Sequence, residues 1–210
     1  SGTTWTPLTD NESFYSTGCV TIDPHNNEKI WLGTGENVGG RHVGIGHGLF
    51  ISDDGGKTWE KILYIDENTG CADIAMEINN PRIMCAGMWT FRRKPWRFDD
   101  GGKNTALYRT MDGGQTWKKI MTGLPNKDMA RPGVHIAQSE PNIIYLMTEF
   151  EGGGTAFKSE DRGENWEMVN DDPNINFRPF YYSDVRVDPN QPNVLFSISG
   201  RLSRSKDSGN

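Results

Sequence analysis

At 210 residues and a net charge of −6, the chain is long enough to bury a sizeable core, and its acidity gives no general attraction to nucleic acid or to an anionic membrane surface. Low leucine content, 25 glycines and many Asn, Asp and aromatic residues suit a turn-rich, all-β protein. No window carries a sustained 3.6-residue apolar period, and no run approaches the roughly 18 apolar residues of a membrane span.

The elements repeat. The first unit offers strand signals at Cys19-Val20-Thr21-Ile22, Lys29-Ile30-Trp31-Leu32, Gly48-Leu49-Phe50-Ile51 and Trp59-Glu60-Lys61-Ile62-Leu63. The second gives Ala72–Met76, Arg82–Ala86, Ala106–Arg109 and Trp117–Ile120; the third gives Val134–Ala137, Ile143–Met147, Ala156–Lys158 and Trp166–Val169. A fourth supplies Asp184–Val187, Val194–Ile198 and Leu202–Arg204, while Trp5-Thr6-Pro7-Leu8 resembles a closing strand without its first three.

Between the last two strands of each unit stands one motif: a hydroxyl residue, an aspartate two on, a glycine two beyond and a tryptophan three further. It occurs as Ser52, Asp54, Gly56, Trp59; as Thr110, Asp112, Gly114, Trp117; as Ser159, Asp161, Gly163, Trp166; and, cut short, as Ser205, Asp207, Gly209. Asp can bond the backbone N–H groups of its own turn, Gly permits positive φ, and Trp offers apolar surface to a neighbouring element. Copies about 46 to 58 residues apart mark an internal repeat, so these residues are expected to be structural.

Four short antiparallel strands per unit of about 50 residues is the arithmetic of a β-propeller blade. The expected fold is an all-β propeller of about four four-stranded blades, approximately 18–63, 70–121, 133–169 and 183–210, forming part of a larger ring. The last blade is expected to be completed by strand 5–8 or by sequence outside the chain. Gly2-Thr3-Thr4-Trp5 reads as the tail of a motif begun before residue 1, which places the natural N-terminus upstream. The cysteines Cys19, Cys71 and Cys85 are too few and irregular for a disulfide framework or a CxxC metal site. They are expected as small buried side chains, with Cys19 and Cys71 at equivalent places in successive units.

With strands lettered A to D, the repeated C–D turn and the Pro/Asn-rich A–B turn fall on one face of the disc. The B–C loops and D–A links, long and unrepetitive, fall on the other, where a scaffold usually carries function. Ligand-binding candidates there are Arg41, His42, Trp89, Arg92, Arg93, Trp96, Arg178 and Tyr181: Trp89 and Trp96 can stack on sugar rings while Arg92 and Arg93 hold hydroxyls or a carboxylate. In the alternative, Trp96 and Phe98 fold back to plug the ring mouth and the arginines pair with Asp99, Asp100 or Glu149. Glycoside hydrolysis needs two carboxyl groups roughly 5 to 10 Å apart, and Glu36, Asp99, Glu149 and Asp171 are weak catalytic candidates, with Asp100 and Asp172 on the same face. His42 and His47 with Glu36, or Asp171, Asp172 and Asn174, match a surface loop or a turn as well as a metal site, so no metal and no cofactor is expected.

The repeats resemble the Asp-box (BNR repeat) β-propellers, the group of sialidases, xyloglucanase-type glycosidases and sortilin-type receptor domains. More narrowly, Trp31-Leu32-Gly33-Thr34-Gly35-Glu36-Asn37, Asp66-Glu67-Asn68-Thr69-Gly70, Phe91-Arg92-Arg93-Lys94-Pro95-Trp96 and 170–182 are similar to bacterial BNR-repeat glycosyl-hydrolase-like and sortilin-like secreted proteins. Such relatives carry another blade between the first two of these stretches, which implies a lost blade or a segment skipped near residues 46–48. The sialidase Arg-Ile-Pro motif and the xyloglucanase catalytic-aspartate loops find no match. The resemblance implies an extracellular or periplasmic propeller that binds a glycan or a protein/peptide ligand on the long-loop face, with no nucleic acid and no membrane insertion. The alternatives are a glycoside hydrolase using a carboxylate pair on that face, or a scaffold in which the remaining blades or a partner chain complete a secreted assembly.

Overall fold

The structure, a computed structural model, describes residues 2–36, 44–151 and 155–210. Among these residues the strands form four antiparallel sheets in a four-blade propeller arrangement. The first sheet is β1 (Thr17–Asp23), β2 (Asn26–Thr34), β3 (Leu49–Ser52) and β4 (Glu60–Leu63), paired in chain order. The second joins β5 (Thr69–Met76), β6 (Met84–Lys94), β8 (Ala106–Thr110) and β9 (Lys118–Lys119), with β7 (Arg97–Asp100) folded back on the far end of β6. The third is β10 (Gly133–Ile136), β11 (Ile144–Met147), β12 (Ala156–Ser159) and β13 (Glu167–Asn170). The fourth has β14 (Asp184–Asp188), β15 (Gln191–Ile198) and β16 (Leu202–Ser205). A single turn of 3-10 helix spans Pro173–Asn176, and no helix of the described residues is long and apolar enough to cross a membrane.

The inner strands β3 and β11 are buried along their whole length because successive side chains point to opposite faces and both faces of a blade pack against neighbours. Trp31, Leu49 and Ile51 of the first sheet pack against Ile74, Met76, Met84 and Ala86 of the second. Ala75, Cys85 and Leu107 then meet Val134, Ile136, Ile144 and Phe157, and Tyr145 and Met147 meet Val185, Val187 and Leu195. The column Ile74/Met76, Val134/Ile136 and Val185/Val187 is buried three times, whereas its first-sheet counterparts Val20 and Ile22 are 62% and 52% exposed. Phe14 covers another part of that open face, its ring 4.6 Å from Phe50.

The repeated turn works as its residue types require. The hydroxyls of Ser52, Thr110, Ser159 and Ser205 donate to the aspartate two residues on at 2.7–2.8 Å and accept from the N–H of Gly56, Gly114, Gly163 and Gly209 at 2.8–2.9 Å. Asp54 also accepts from the N–H groups of Lys57 and Thr58 and from the Thr58 hydroxyl. These donors, the Thr58 N–H first, draw its pKa down to about 2. The turn is then tied to the A–B connection of its own sheet by the N–H of Gly55, Gly113, Arg162 and Ser208, which bond the carbonyls of Glu28, Arg82, Asn142 and Asn193.

The last glycine also sets blade spacing. A Cβ on Gly56, Gly114, Gly163 or Gly209 would lie 2.6–2.8 Å from a side-chain carbon of Leu8, Ile62, Ile120 or Val169. Three of these apolar residues belong to the closing segment of the preceding sheet. Leu8 holds the same place for the first sheet, and its carbonyl accepts from Trp59 Nε1 as that of Ile120 does from Trp166 Nε1. Residues 5–8 form no strand, and Trp5 is 88% exposed. The fourth sheet has three strands among the described residues, and its pairing does not include 5–8.

The expected equivalence of Cys19 and Cys71 is corrected by register. Cys19 lies opposite Gly33 and Asp73 opposite Gly87, so Asp73 is the counterpart of Cys19; Cys71 lies further back, opposite Met88. A register shift in each first strand hides this from linear counting.

Ser159→Ala leaves the buried Gly163 N–H without its acceptor, so it is expected to cost about 1–3 kcal/mol. Urea denaturation of wild type and variant measures it; equal midpoints would refute the fastener role.

Candidate functional site on the long-loop face

On the opposite face the second sheet outgrows its neighbours. β6 runs on past the sheet and pairs with β7, placing Phe91 opposite Asp100, Arg92 opposite Asp99, Arg93 opposite Phe98 and Lys94 opposite Arg97 across a turn at Pro95-Trp96. This stretch, expected as an irregular loop, is therefore a β-ribbon. One side of it is aromatic: Trp89, Phe91 and Phe98 continue into Phe180, Tyr181 and Tyr182 as an unbroken series of ring contacts with centroids 4.4–6.0 Å apart. Phe98 meets Phe91 and Phe180 edge-on yet is 43% exposed, and Trp96 stands 80% exposed at the ribbon tip.

The ribbon walls a polar cleft of about 710 Å³, lined by Asp66, Asn68, Arg92, Arg97, Asp99, Lys103, Asn104 and Asp128 among others. Its side chains are held in place by one another. Arg92 donates from Nε to Asn68 Oδ1 at 2.7 Å and from its other nitrogens to the carbonyls of Phe91 and Glu67. Asn104 Nδ2 donates to Asp66 Oδ2 at 2.5 Å. Burial works against the charge of Asp66, but hydrogen bonds from Thr69, Asn68 and Asn104 outweigh it and keep the carboxyl below its usual range. Arg97 pairs with Asp99 at 2.7 Å.

Behind the cleft sits a buried electrostatic cluster. Trp89, 2% exposed, presents no face to a sugar; its Nε1 instead donates to Asp100 Oδ1 at 3.0 Å. Arg131 is 3% exposed, with its guanidinium 5.9 Å from the Trp89 ring centroid and 3.9 Å from Asp184. Burial is the main reason that Asp100 is raised to about 6; Glu149 adds to it, while the Trp89 and Arg131 N–H donors and the Arg131 charge oppose it. Arg131 was not foreseen, since nothing in Ala130-Arg131-Pro132 distinguishes a buried arginine from a surface one. Asp66, Arg97 and Asn104 are site residues that the sequence does not single out, because which polar side chains of a loop turn towards a shared cleft depends on the fold.

The other candidates lie apart from the cleft lining. Glu36 is half-buried just beyond β2, Glu149 is exposed beside Asp100, and Asp171 is exposed. Arg93 has its guanidinium 5.4 Å from the Phe98 ring, and Arg178, in the left-handed region at φ 61°, has its own 5.7 Å from Phe177. Asp172 caps the 3-10 turn by accepting from the Asn174 N–H and amide, which accounts for the Asp172/Asn174 pairing as a turn. Arg41 and His42 lie outside the described residues. His47 donates its N–H to Thr34 Oγ1. Among the described residues no three His, Cys, Asp or Glu side chains group as a metal site.

Asp100 yields a signed pH dependence. From about pH 4, where an unfolded aspartate ionises, to about pH 6, where the folded one does, the folded state holds the extra proton, so this residue's contribution to stability falls as pH rises and then levels off. Asp100→Asn keeps a hydrogen-bond acceptor for Trp89 and removes the titration. The stability difference between variant and wild type is expected to shift in favour of the variant across that window in urea melts; a difference that stays constant with pH would refute the assignment.

Comparison with known proteins agrees with this architecture. Residues 50–61 match the BNR/Asp-box repeat model. The chain is 23% identical over 180 residues, 80% of its length, to the oligoxyloglucan-reducing end-specific xyloglucanase of Emericella nidulans, and 26% identical over 195 residues, 86% of its length, to the xyloglucanase Xgh74A of Acetivibrio thermocellus. It spans 20% and 22% of those proteins. Among solved structures, the GH74 enzyme of Niastella koreensis superposes with a TM-score of 0.71 at 18% identity, covering 99% of this chain and 32% of that one. The GH74 xyloglucanase of Xanthomonas campestris gives 0.66 at 14%, covering 92% of this chain and 28% of that one. With the repeated turn, the four sheets and these neighbours together, the chain is a β-propeller built on BNR/Asp-box repeats.

Proposed function

We propose that this propeller is an extracellular carbohydrate-binding protein whose ligand lies in the cleft beside the β6–β7 ribbon. The observation that carries the reading is the combination of mutually braced planar groups, Asp66, Asn68, Arg92 and Asn104, with an exposed Trp96 on the adjoining tip. Amide, carboxylate and guanidinium groups in fixed orientations suit paired sugar hydroxyls, and an exposed indole suits the apolar face of a pyranose. The xyloglucanase relatives support a β-glucan-type ligand over a peptide. The open Val20/Ile22 face supports a further blade packed there, as its buried counterparts are in the other sheets.

Hydrolysis is the second reading, favoured by one observation. Asp100 holds a proton up to about pH 6 near the ionisable Glu149, an arrangement suited to a general acid with a partner carboxylate.

Calorimetric titration of the protein with xyloglucan oligosaccharides tests both. Binding is expected, weakened roughly five- to tenfold by Trp96→Ala, equivalent to about 1 kcal/mol for one stacked ring. Absence of binding to any β-glucan oligosaccharide would sink the carbohydrate reading. New reducing ends that vanish in Asp100→Asn, with binding retained, would favour the hydrolase.

A further inference from the structure

Cys19 on β1 and Cys71 on β5 come from adjacent sheets whose first strands touch. Their Sγ atoms lie 3.8 Å apart, and the Cys19 thiol also points at the Cys71 carbonyl at 3.4 Å. The approach depends on two glycines. A Cβ on Gly18 would lie 2.3 Å from the Cys71 carbonyl oxygen, and one on Gly33 would lie 2.6 Å from Cys19 Sγ and 2.8 Å from Cys71 Cβ. Any other residue at either position would push the sheets apart. The third cysteine, Cys85, is buried among Leu107, Ile136 and Phe157 in the next inter-sheet core.

We propose that Cys19 and Cys71 form a disulfide that clamps the first sheet to the second when the chain meets a small-molecule disulfide oxidant such as glutathione disulfide. One cysteine thiolate attacks the oxidant, releasing one glutathione thiolate and leaving a mixed disulfide. The second cysteine thiolate displaces the other glutathione. In sum the two cysteines lose two electrons and two protons and gain one S–S bond, while the oxidant's S–S bond is reduced to two thiols. Bonding requires the sulfurs to close from 3.8 Å to about 2.05 Å. Cys71 is fully buried and Cys19 holds its proton tightly beside it, so the exchange belongs to the folding chain, before the two sheets close. The bond would tie positions 52 residues apart and so restrict the unfolded chain. This inference stands independently of the carbohydrate reading.

The test refolds the whole chain in glutathione disulfide, alkylates remaining thiols under denaturing conditions, and maps non-reduced peptides by mass spectrometry. A Cys19–Cys71 peptide pair two hydrogens lighter than its reduced parts is expected, with Cys85 alkylated. Reductant is expected to lower the thermal midpoint of the oxidised wild type by roughly 5–10 °C and to leave Cys19→Ser unchanged. Alkylation of all three cysteines after oxidative refolding, or a linkage to Cys85, overturns the proposal. Should Cys19→Ser fail to fold, the peptide map of the wild type and of Cys71→Ala decides.

Discussion

The contact on which the molecule depends is the approach of each Asp-box turn to an apolar side chain ahead of its own sheet, which for three of the four turns lies in the closing segment of the sheet before. The turn's last glycine has positive φ and lies so close to Leu8, Ile62, Ile120 or Val169 that a methyl group would overlap them. The residue is thus required twice, once by the backbone and once by the neighbour. The hydroxyl and aspartate fix the turn that presents this glycine, and the tie to the A–B connection fixes the turn to its own sheet. Blade spacing, and with it the three inter-sheet cores, follows from a few atoms repeated four times.

Concentrating the fastening at one end of the blades leaves the other end free to vary. There β6 extends into a ribbon whose aromatic side joins Phe180 from the segment before β14, and whose polar side forms a cleft with residues leading into β5 and β8. A rigid base and a built wall preorganise the cleft, because side chains braced before a ligand arrives lose little freedom on binding.

The two faces also treat the same residue type in opposite ways. Asp54 is exposed and surrounded by backbone and hydroxyl donors, which hold it ionised to about pH 2. Asp100 is largely withdrawn from water, has Glu149 nearby, and is held protonated up to about pH 6 despite Trp89 and Arg131. Donor number and burial, more than net charge, separate a carboxylate held ionised from one held protonated.

Much of this was legible in the residues themselves. The repeat in Ser52–Trp59, Thr110–Trp117 and Ser159–Trp166 carries its own turn geometry, and short apolar runs between the copies specify the strands; both are local, and local patterns survive in a linear chain. The division into a fastened face and a long-loop face followed from strand order alone. What only the tertiary structure decided is which side chains meet across sheets. Trp89 looked like a stacking surface and is core; Trp96, a few residues on, is the exposed one. Arg131 and Asp100 acquire their character from Trp89, Asp184 and Glu149, which only the fold brings to them. Cys19 and Cys71 meet because a register shift and two glycines bring strands of different blades together. Periodicity records what each strand is; the contacts between blades depend on register and close approach, which no spacing along one strand encodes.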